Sequence, residues 1–306
     1  MHIALTGASG FIGSAICGAA TEAGHTVTAL VRQTSRRDHI EPHVARFVTG
    51  DHADETCWPD LLDGADAVIH NSADWRCIFR DSADPAAFDR HLASNLVGSI
   101  RLLRASAPRP FVYMSSIAVH HDMRPRWQGR IDEDHPLRPN SMYGAFKAAV
   151  EAHLWAEHYA TGRHTVAIRP CGVYGLDPRL DRTHGYPIVR KIAAGQRFDK
   201  QGGGKFVHVD DVALATVRAV ERDDAAGKPF NLVDCYARWG DWATMAASLL
   251  GVDADIDLSS PDRPQNEFSK EQTRSILGVP LDRGHDGIKT EIAKLIEELR
   301  DRGELD

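Results

Sequence analysis

The chain has 306 residues, 42% apolar and 26% charged, with 36 Lys and Arg against 43 Asp and Glu for a net charge of −7. This excludes a disordered chain and leaves ample material for one large α/β unit or two smaller ones. The mild acidity offers neither the basic patch of a nucleic-acid protein nor a polybasic membrane signal.

Cys17, Cys57, Cys77, Cys171 and Cys235 are odd in number, widely spaced and without a C-x-x-C pair. No disulfide framework or thiolate zinc site is expected, and the cytoplasm is the expected location. The uncharged run from Ile3 to Thr21 is broken by Gly7, Gly10, Gly13 and Gly18. It is too polar for a membrane span and lacks the basic start of a signal peptide.

In chain order, His2–Thr6 reads as a short buried strand that stops at glycine. Phe11–Ala23 reads as a helix with Phe11, Ile12, Ala15, Ile16 and Ala19 on one side. Thr26–Val31, Ala45–Val48 and Ala67–Ile69 read as strands. Phe88–Ala105 reads as one helix, Phe111–Met114 as a strand, Ser141–Tyr159 as a long helix and Thr165–Ile168 as a strand. Strand–helix alternation of this kind predicts βαβ units in a parallel sheet. Further on, Phe206–Val209 and Phe230–Val233 read as strands, Asp211–Arg222 as a helix between them, and Ile288–Leu299 as an amphipathic terminal helix. The stretch from His120 to Asn140 has no period and holds Pro125, Pro136 and Pro139; it reads as a flap over an active site.

Thr6-Gly-Ala-Ser-Gly-Phe-Ile-Gly13 joins the first strand to the first helix. Glycines 7 and 10 permit a tight turn close to a phosphate, Gly13 permits close helix–strand packing, and the helix N-terminus adds partial positive charge. No carboxylate closes the second strand; Arg32 does, with Arg36 and Arg37 just beyond. Guanidinium groups suit a 2′-phosphate, so NADP is expected in preference to NAD.

Tyr143 and Lys147 stand four apart and share a helix face. An adjacent ammonium favours a phenolate, which makes this pair a tunable acid/base for a hydroxyl or carbonyl. Ser115 and Ser116 end a strand, where open sheets bind ligands, and Ser116 is the candidate to hold the reacting oxygen. The 16 histidines include adjacent His120 and His121, and His153 and His158 five apart. Neither spacing makes a same-face ligand pair, so no metal site is expected.

Together these motifs resemble the extended short-chain dehydrogenase/reductase, or NAD-dependent epimerase/dehydratase, family. T-G-x-x-G-x-x-G stands as Thr6–Gly13; Gly50-Asp51-His52 is similar to the adenine-contacting turn, and His70-Asn-Ser-Ala73 to H-x-A-A. Asn95 resembles the tetrad asparagine. Pro136 to Lys147, with Glu151, matches P-x-x-P-x-x-x-Y-G-x-x-K. Arg169-Pro170 with Val173-Tyr-Gly175 resembles the segment beside the nicotinamide, and Phe206–Asp211 a late family signature.

The resemblance implies a Rossmann-type doubly wound parallel sheet over residues 1–170, completed by about 206–234. A smaller α/β substrate-binding region would come from 171–205 and 235–306. It implies a catalytic set of Ser116, Tyr143, Lys147 and Asn95. Cofactor contacts would come from Gly7, Ser9, Gly10, Phe11, Ile12, Gly13, Arg32, Asp51, His52, Ser72, Ala73, Pro170 and Val173, with Asn95, Tyr143 and Lys147. Trp75, Ser116, His120, Tyr143 and Tyr174 are expected to line a substrate pocket, with Trp127 a further wall residue in the flap. A small-molecule substrate is implied, and a homodimer through the faces of Phe88–Ala105 and Ser141–Tyr159, where Phe146, Val150 and Leu154 lie; burial within one subunit explains those residues equally.

Departures narrow the function. Ile117 and Ala118 replace the Asp-Glu pair of family dehydratases, which leaves elimination of water without its acid and base. Gly172 stands where sugar-nucleotide members carry asparagine, and Gly202-Gly-Gly-Lys205 where they carry arginine. The expected reaction is NAD(P)-dependent hydride transfer at a secondary alcohol or ketone of a sugar-like or other small hydroxy/keto compound. The alternatives are a nucleotide-sugar epimerase with retained NAD and a non-catalytic NAD(P)-binding regulator.

Overall fold

A computed structural model describes residues 1–78, 84–121 and 129–305. In chain order its strands are β1 (His2–Thr6), β2 (Thr26–Val31), β3 (Arg46–Thr49), β4 (Ala67–His70), β5 (Phe111–Met114), β6 (Arg130–Ile131), β7 (Thr165–Pro170), β8 (Gly172–Tyr174), β9 (Gly203–His208), β10 (Pro229–Leu232), β11 (Cys235–Arg238) and β12 (Glu267–Phe268).

Seven of them form one parallel sheet in the order β10-β7-β5-β4-β1-β2-β3. Its strands are apolar on both faces because helices cover both. Alternate residues divide between two cores, as the two-residue period requires. Ile3, Leu5, Ile69, Val112 and Ile168 pack against Ile16 of helix Phe11–Glu22 and Val212 of helix Val209–Glu221. Ala4, Val68, Phe111, Tyr113 and Ala167 pack against Trp58, Leu102, Phe146, Val150 and Leu154. The last three are thus buried within a single subunit, which accounts for the apolar face of helix Met142–Thr161. No helix among the described residues is long and apolar enough to cross a membrane.

Chain order reverses at β1, with β2 on one side and β4 on the other. A cleft forms at the strand ends on such a reversal. After Pro170 the chain leaves the main sheet. β8 pairs in parallel with β9, and β9 antiparallel with β11. The strand at Phe206 therefore does not complete the main sheet; Gly203 lets it lie close against β11, where a Cβ on Gly203 would lie 2.5 Å from the Ala237 carbonyl oxygen. Only β10 returns to the main sheet, beside β7. A third core gathers Tyr174, Ile188, Ile192, Phe206, Trp242, Ile292 and Leu295.

Two elements differ from expectation for clear reasons. The region read as one helix from Phe88 to Ala105 is Pro85–His91, a π-helical turn over Leu92–Gly98, and Ser99–Ala105. π turns of this kind cluster at functional sites. Helix Trp239–Leu250 carries W-G-D-W-A-T-M-A-A-S-L-L, whose polar stripe is only Asp241, Thr244 and Ser248, too narrow to stand out among small and apolar residues.

Candidate active site

A cleft of about 720 Å³ opens at the C-terminal ends of the main-sheet strands. One end is the glycine turn. Gly7 has φ +74°, and a Cβ there would sit 3.1 Å from the Asn71 carbonyl and the Ser72 nitrogen. A Cβ on Gly13 would lie 2.0 Å from the Gly7 oxygen, so Gly13 seats the helix on the turn and does not itself line the cleft. Gly10 is exposed toward the cleft and is the N-cap of helix Phe11–Glu22, with no side chain capping the first turn. Bare backbone, free first-turn N–H groups and the helix dipole fit a diphosphate.

Thr6 wires this turn to β4. Its Oγ1 accepts the N–H groups of Asn71 and Ser72, each at 3.2 Å. Its own hydrogen therefore goes to His70 Nδ1 at 2.8 Å. His70 is wholly buried and held neutral, so Nε2 carries the proton and donates to Ser99 Oγ at 2.8 Å. Ser99 in turn donates to the Asn95 carbonyl oxygen at 2.6 Å.

Beyond the turn, Ser9, Phe11, Ile12, Arg32, Ser35, Arg36, Asp51, His52, Ser72 and Ala73 line the cleft. Arg36 pairs with Asp38 at 2.8 Å, and Arg37 lies over the Phe47 ring. Among the described residues Arg32 makes no ion pair and is exposed to the cleft.

The other end is built from side chains. Ser141 caps helix Met142–Thr161 by accepting the Gly144 N–H at 3.1 Å. A Cβ on Gly144 would fall 2.2 Å from the Ala118 oxygen, so the helix rests directly on the turn that follows Ser116. That contact brings Tyr143 to the same cleft wall as Ser116, whose hydroxyl donates to the Pro170 carbonyl oxygen at 3.5 Å. Ser116 Oγ also accepts the Ala118 N–H at 3.1 Å. Lys147 Nζ donates to the Met114 carbonyl at 2.5 Å and lies 4.5, 5.0 and 5.8 Å from the ring centres of Tyr113, Phe146 and Tyr143. Aromatic faces of this kind help retain a buried cation. Met114, Trp75, Pro170, Cys171 and Val173 complete the wall.

The electrostatics differ from the sequence expectation. Burial raises the Tyr143 phenol above its ordinary value, and the nearby Ser116 hydroxyl is what opposes it. Lys147 does not pull the phenol below its usual range, because burial brings Lys147 itself down to about 7 against the pull of Glu151. Glu151 is fully buried; it takes Ser115 Oγ–H and a guanidinium fork from equally buried Arg169, Nη2 to Oε2 at 2.6 Å.

Asn95 does not line the cleft. Its Oδ1 accepts the Asp74 N–H at 2.6 Å and its Nδ2 donates to the Asp74 carbonyl at 3.2 Å, which fixes the loop after β4. Two expected pocket residues stand elsewhere. Tyr174 is buried in the third core, edge-on to His208 and Trp242, because the last residue of β8 points to the helix side. His120 turns beneath the sheet, where Arg169 Nη1 donates to its Nε2 at 3.2 Å; burial and that cation push it down to about 3. Lys205 does not line the cleft and lies over the Phe268 ring. Trp127 and Pro125 lie outside the described residues. Cys171 and the segment Asp177, Pro178, Arg179 and Arg182 line the cleft without having been singled out. Their place just past the ends of β7 and β8 was the available signal.

A sequence model of the NAD dependent epimerase/dehydratase family matches residues 3–232. The UDP-glucose 4-epimerase of Corynebacterium glutamicum is 27% identical over 76% of this chain and 75% of its own. A 4-hydroxy-2-methyl-3-oxo-4-farnesyl-3,4-dihydroquinoline-1-oxide ketoreductase of Stigmatella aurantiaca is 29% identical over 84% of this chain and 75% of its own. A short-chain dehydrogenase/reductase superfamily protein of Agrobacterium tumefaciens, solved with bound NAD, superposes with a TM-score of 0.78 at 24% identity over 99% of each chain. The chain belongs to the NAD-dependent epimerase/dehydratase family and is a nicotinamide-dependent enzyme of the extended short-chain dehydrogenase/reductase type.

Proposed function

We propose that this enzyme is an NADP-preferring oxidoreductase acting at a secondary alcohol or ketone of a small hydroxy/keto substrate. The observation that carries the reading is the meeting of Tyr143, Ser116 and Lys147 on one wall of the cleft that the glycine turn begins. The nicotinamide, when bound, supplies or accepts the hydride. Tyr143 exchanges the proton with the substrate oxygen, and Ser116 holds that oxygen by hydrogen bond. Lys147 holds the nicotinamide ribose, and Asn95 holds the loop that borders the site. The preference for NADP is supported by Arg32, which stands in the cleft without a carboxylate partner among the described residues.

Ile117 and Ala118 supply no carboxylate for dehydration. A second reading, epimerisation with retained NAD, draws on the Corynebacterium relative. The first reading is supported by Lys205, which ends the stretch where nucleotide-sugar members carry arginine and lies over Phe268 rather than in the cleft.

Purified protein titrated with NADPH and NADH, then assayed for cofactor oxidation over candidate ketones, separates these. Net NADPH consumption is expected. Tightly held NAD with no net redox change supports the epimerase instead. Tyr143→Phe should lower turnover about 10²- to 10⁴-fold and leave NADPH affinity unchanged. Unchanged turnover in that variant overturns the assignment.

A further inference from the structure

We propose that Ser115 is a positioning residue for the reaction: by donating its hydroxyl hydrogen to buried Glu151 it fixes the end of β5, and with it the Met114 carbonyl that holds Lys147 and the Ser116 hydroxyl on the cleft wall. The inference rests on the oxidoreductase reading above and adds to its machinery.

Tyr143, Lys147 and Glu151 stand four apart on helix Met142–Thr161 and form one stripe. Three consecutive residues at the end of β5 meet it. The Met114 carbonyl accepts from Lys147 Nζ at 2.5 Å, the Ser115 hydroxyl donates to Glu151 Oε1, and Ser116 shares the cleft wall with Tyr143. Tyr143 and Lys147 line the cleft; Glu151 does not and is fully buried. The Ser115–Glu151 contact thus stands behind the two groups that face the ligands.

The two-residue period of the strand sends Ser115 to the helix side. Tyr113 packs into the core that holds Phe146 and Val150, Met114 into the opposite one, and Ser115 faces the helix again. Its N–H donates to the Ile168 carbonyl at 2.7 Å, so Ser115 is still tied to β7. Ser116 has already left the sheet and caps the turn Ile117–Val119. Ser115 therefore joins sheet to helix one step before Ser116.

A hydroxyl on a residue only 2% exposed needs a partner, and here the partner is itself fixed. Arg169, next after Ile168 on β7, gives the same carboxylate its Nε at 3.0 and 3.1 Å and its Nη2 at 2.6 Å. Arg169 Nη1 donates to His120 Nε2 at 3.2 Å, which anchors the guanidinium on its far side. The carboxylate is held between two neighbouring strands and cannot follow one without leaving the other. Although Ser115 borders the cleft, its hydrogen goes to Glu151, so it acts through its neighbours and not on a substrate.

Removing this hydroxyl leaves the Arg169 fork in place, while the end of β5 loses its tie to the helix. Hydrogen bonds weaken steeply with misalignment, and small displacements of a reacting group slow the chemical step more than they weaken binding.

The test is NADPH oxidation with dihydroxyacetone, diacetyl and acetophenone as probe ketones, with kcat expressed per bound NADPH so that only folded sites count. Ser115→Ala should lower kcat about tenfold and leave the ketone KM and the NADPH dissociation constant within about twofold of wild type. Ser115→Thr, which keeps the hydroxyl, should recover most of the loss. Ser106→Ala, which takes a buried hydroxyl from Arg163 Nη2 at 2.8 Å ahead of β5, should leave kcat unchanged. If Ser115→Ala binds no NADPH, Ser115→Cys takes its place with the same expectation, because a thiol is a weak donor. A kcat equal to wild type in the Ser115 variant, an equal loss in Ser106→Ala, a loss carried by KM, or no recovery with threonine overturns the proposal. If Tyr143→Phe abolishes ketone reduction and Ser115→Ala does not slow it, this inference fails and the oxidoreductase reading stands. If the wild-type protein oxidises NADPH with none of the three ketones, both fail.

Discussion

The phosphate end of the cleft is made of main chain: Gly7 at φ +74°, the exposed Gly10, and the uncapped first turn of helix Phe11–Glu22. The Tyr143 end is made of side chains delivered from separate elements. Ser116 comes from just past the end of β5, Tyr143 and Lys147 from helix Met142–Thr161, and Trp75 from the short helix Trp75–Ile78 after β4. The first end is set by what residues lack, since any Cβ at Gly7 or Gly13 meets backbone within 3.1 Å. The second is set by supports that never reach the cleft, among them Gly144 against Ala118 and the buried Glu151–Arg169 pair. Sites of the two kinds should fail differently.

The largest difference is expected at Arg169. Arg169→Met leaves the Glu151 carboxylate buried without its fork and should cost about 3–5 kcal/mol of stability, measured by denaturant unfolding. A loss below about 1 kcal/mol would mean that the side-chain end does not depend on this pair. Gly7→Ala should act on the other end, at about 1–2 kcal/mol for a left-handed alanine. The crowding of Asn71 and Ser72 should direct that cost into NADPH affinity, read by fluorescence titration, more than into unfolding. The smallest effect is at the exposed Arg32. Arg32→Ala should weaken NADPH about fivefold, near 1 kcal/mol, and leave NADH unaltered. Equal weakening of both cofactors would place Arg32 on the adenine and remove the argument for NADP.

The same contrast explains what could be read in the sequence. A backbone site leaves its mark as glycine spacing, and Thr6–Gly13 carried its position directly. Tyr143 and Lys147 were legible because four residues return a helix to one face. Tyr174 and His120 were placed from their nearness to strand ends. Nearness in the chain does not fix direction, and both side chains turn into cores on the far side. The π turn at Asn95 escaped notice because apolar spacing over Phe88–Ala105 does not register one residue of widening. Arg169 on β7 and Glu151 on helix Met142–Thr161 pair only through the packing of that helix against the sheet, which residue spacing does not give.

One feature of the floor bears on how ligands enter. Each hydrogen between Thr6, His70, Ser99 and Asn95 has a single available direction, because two amides occupy the threonine oxygen. No link can reverse, and the chain ties the end of β1 to the end of β4 and on to the helical segment that carries Asn95 and Ser99. Opening the base of the cleft there would break this chain of buried bonds. Admission and release are then expected to involve other parts of the lining, among them Trp75 and Asp177, Arg179 and Arg182.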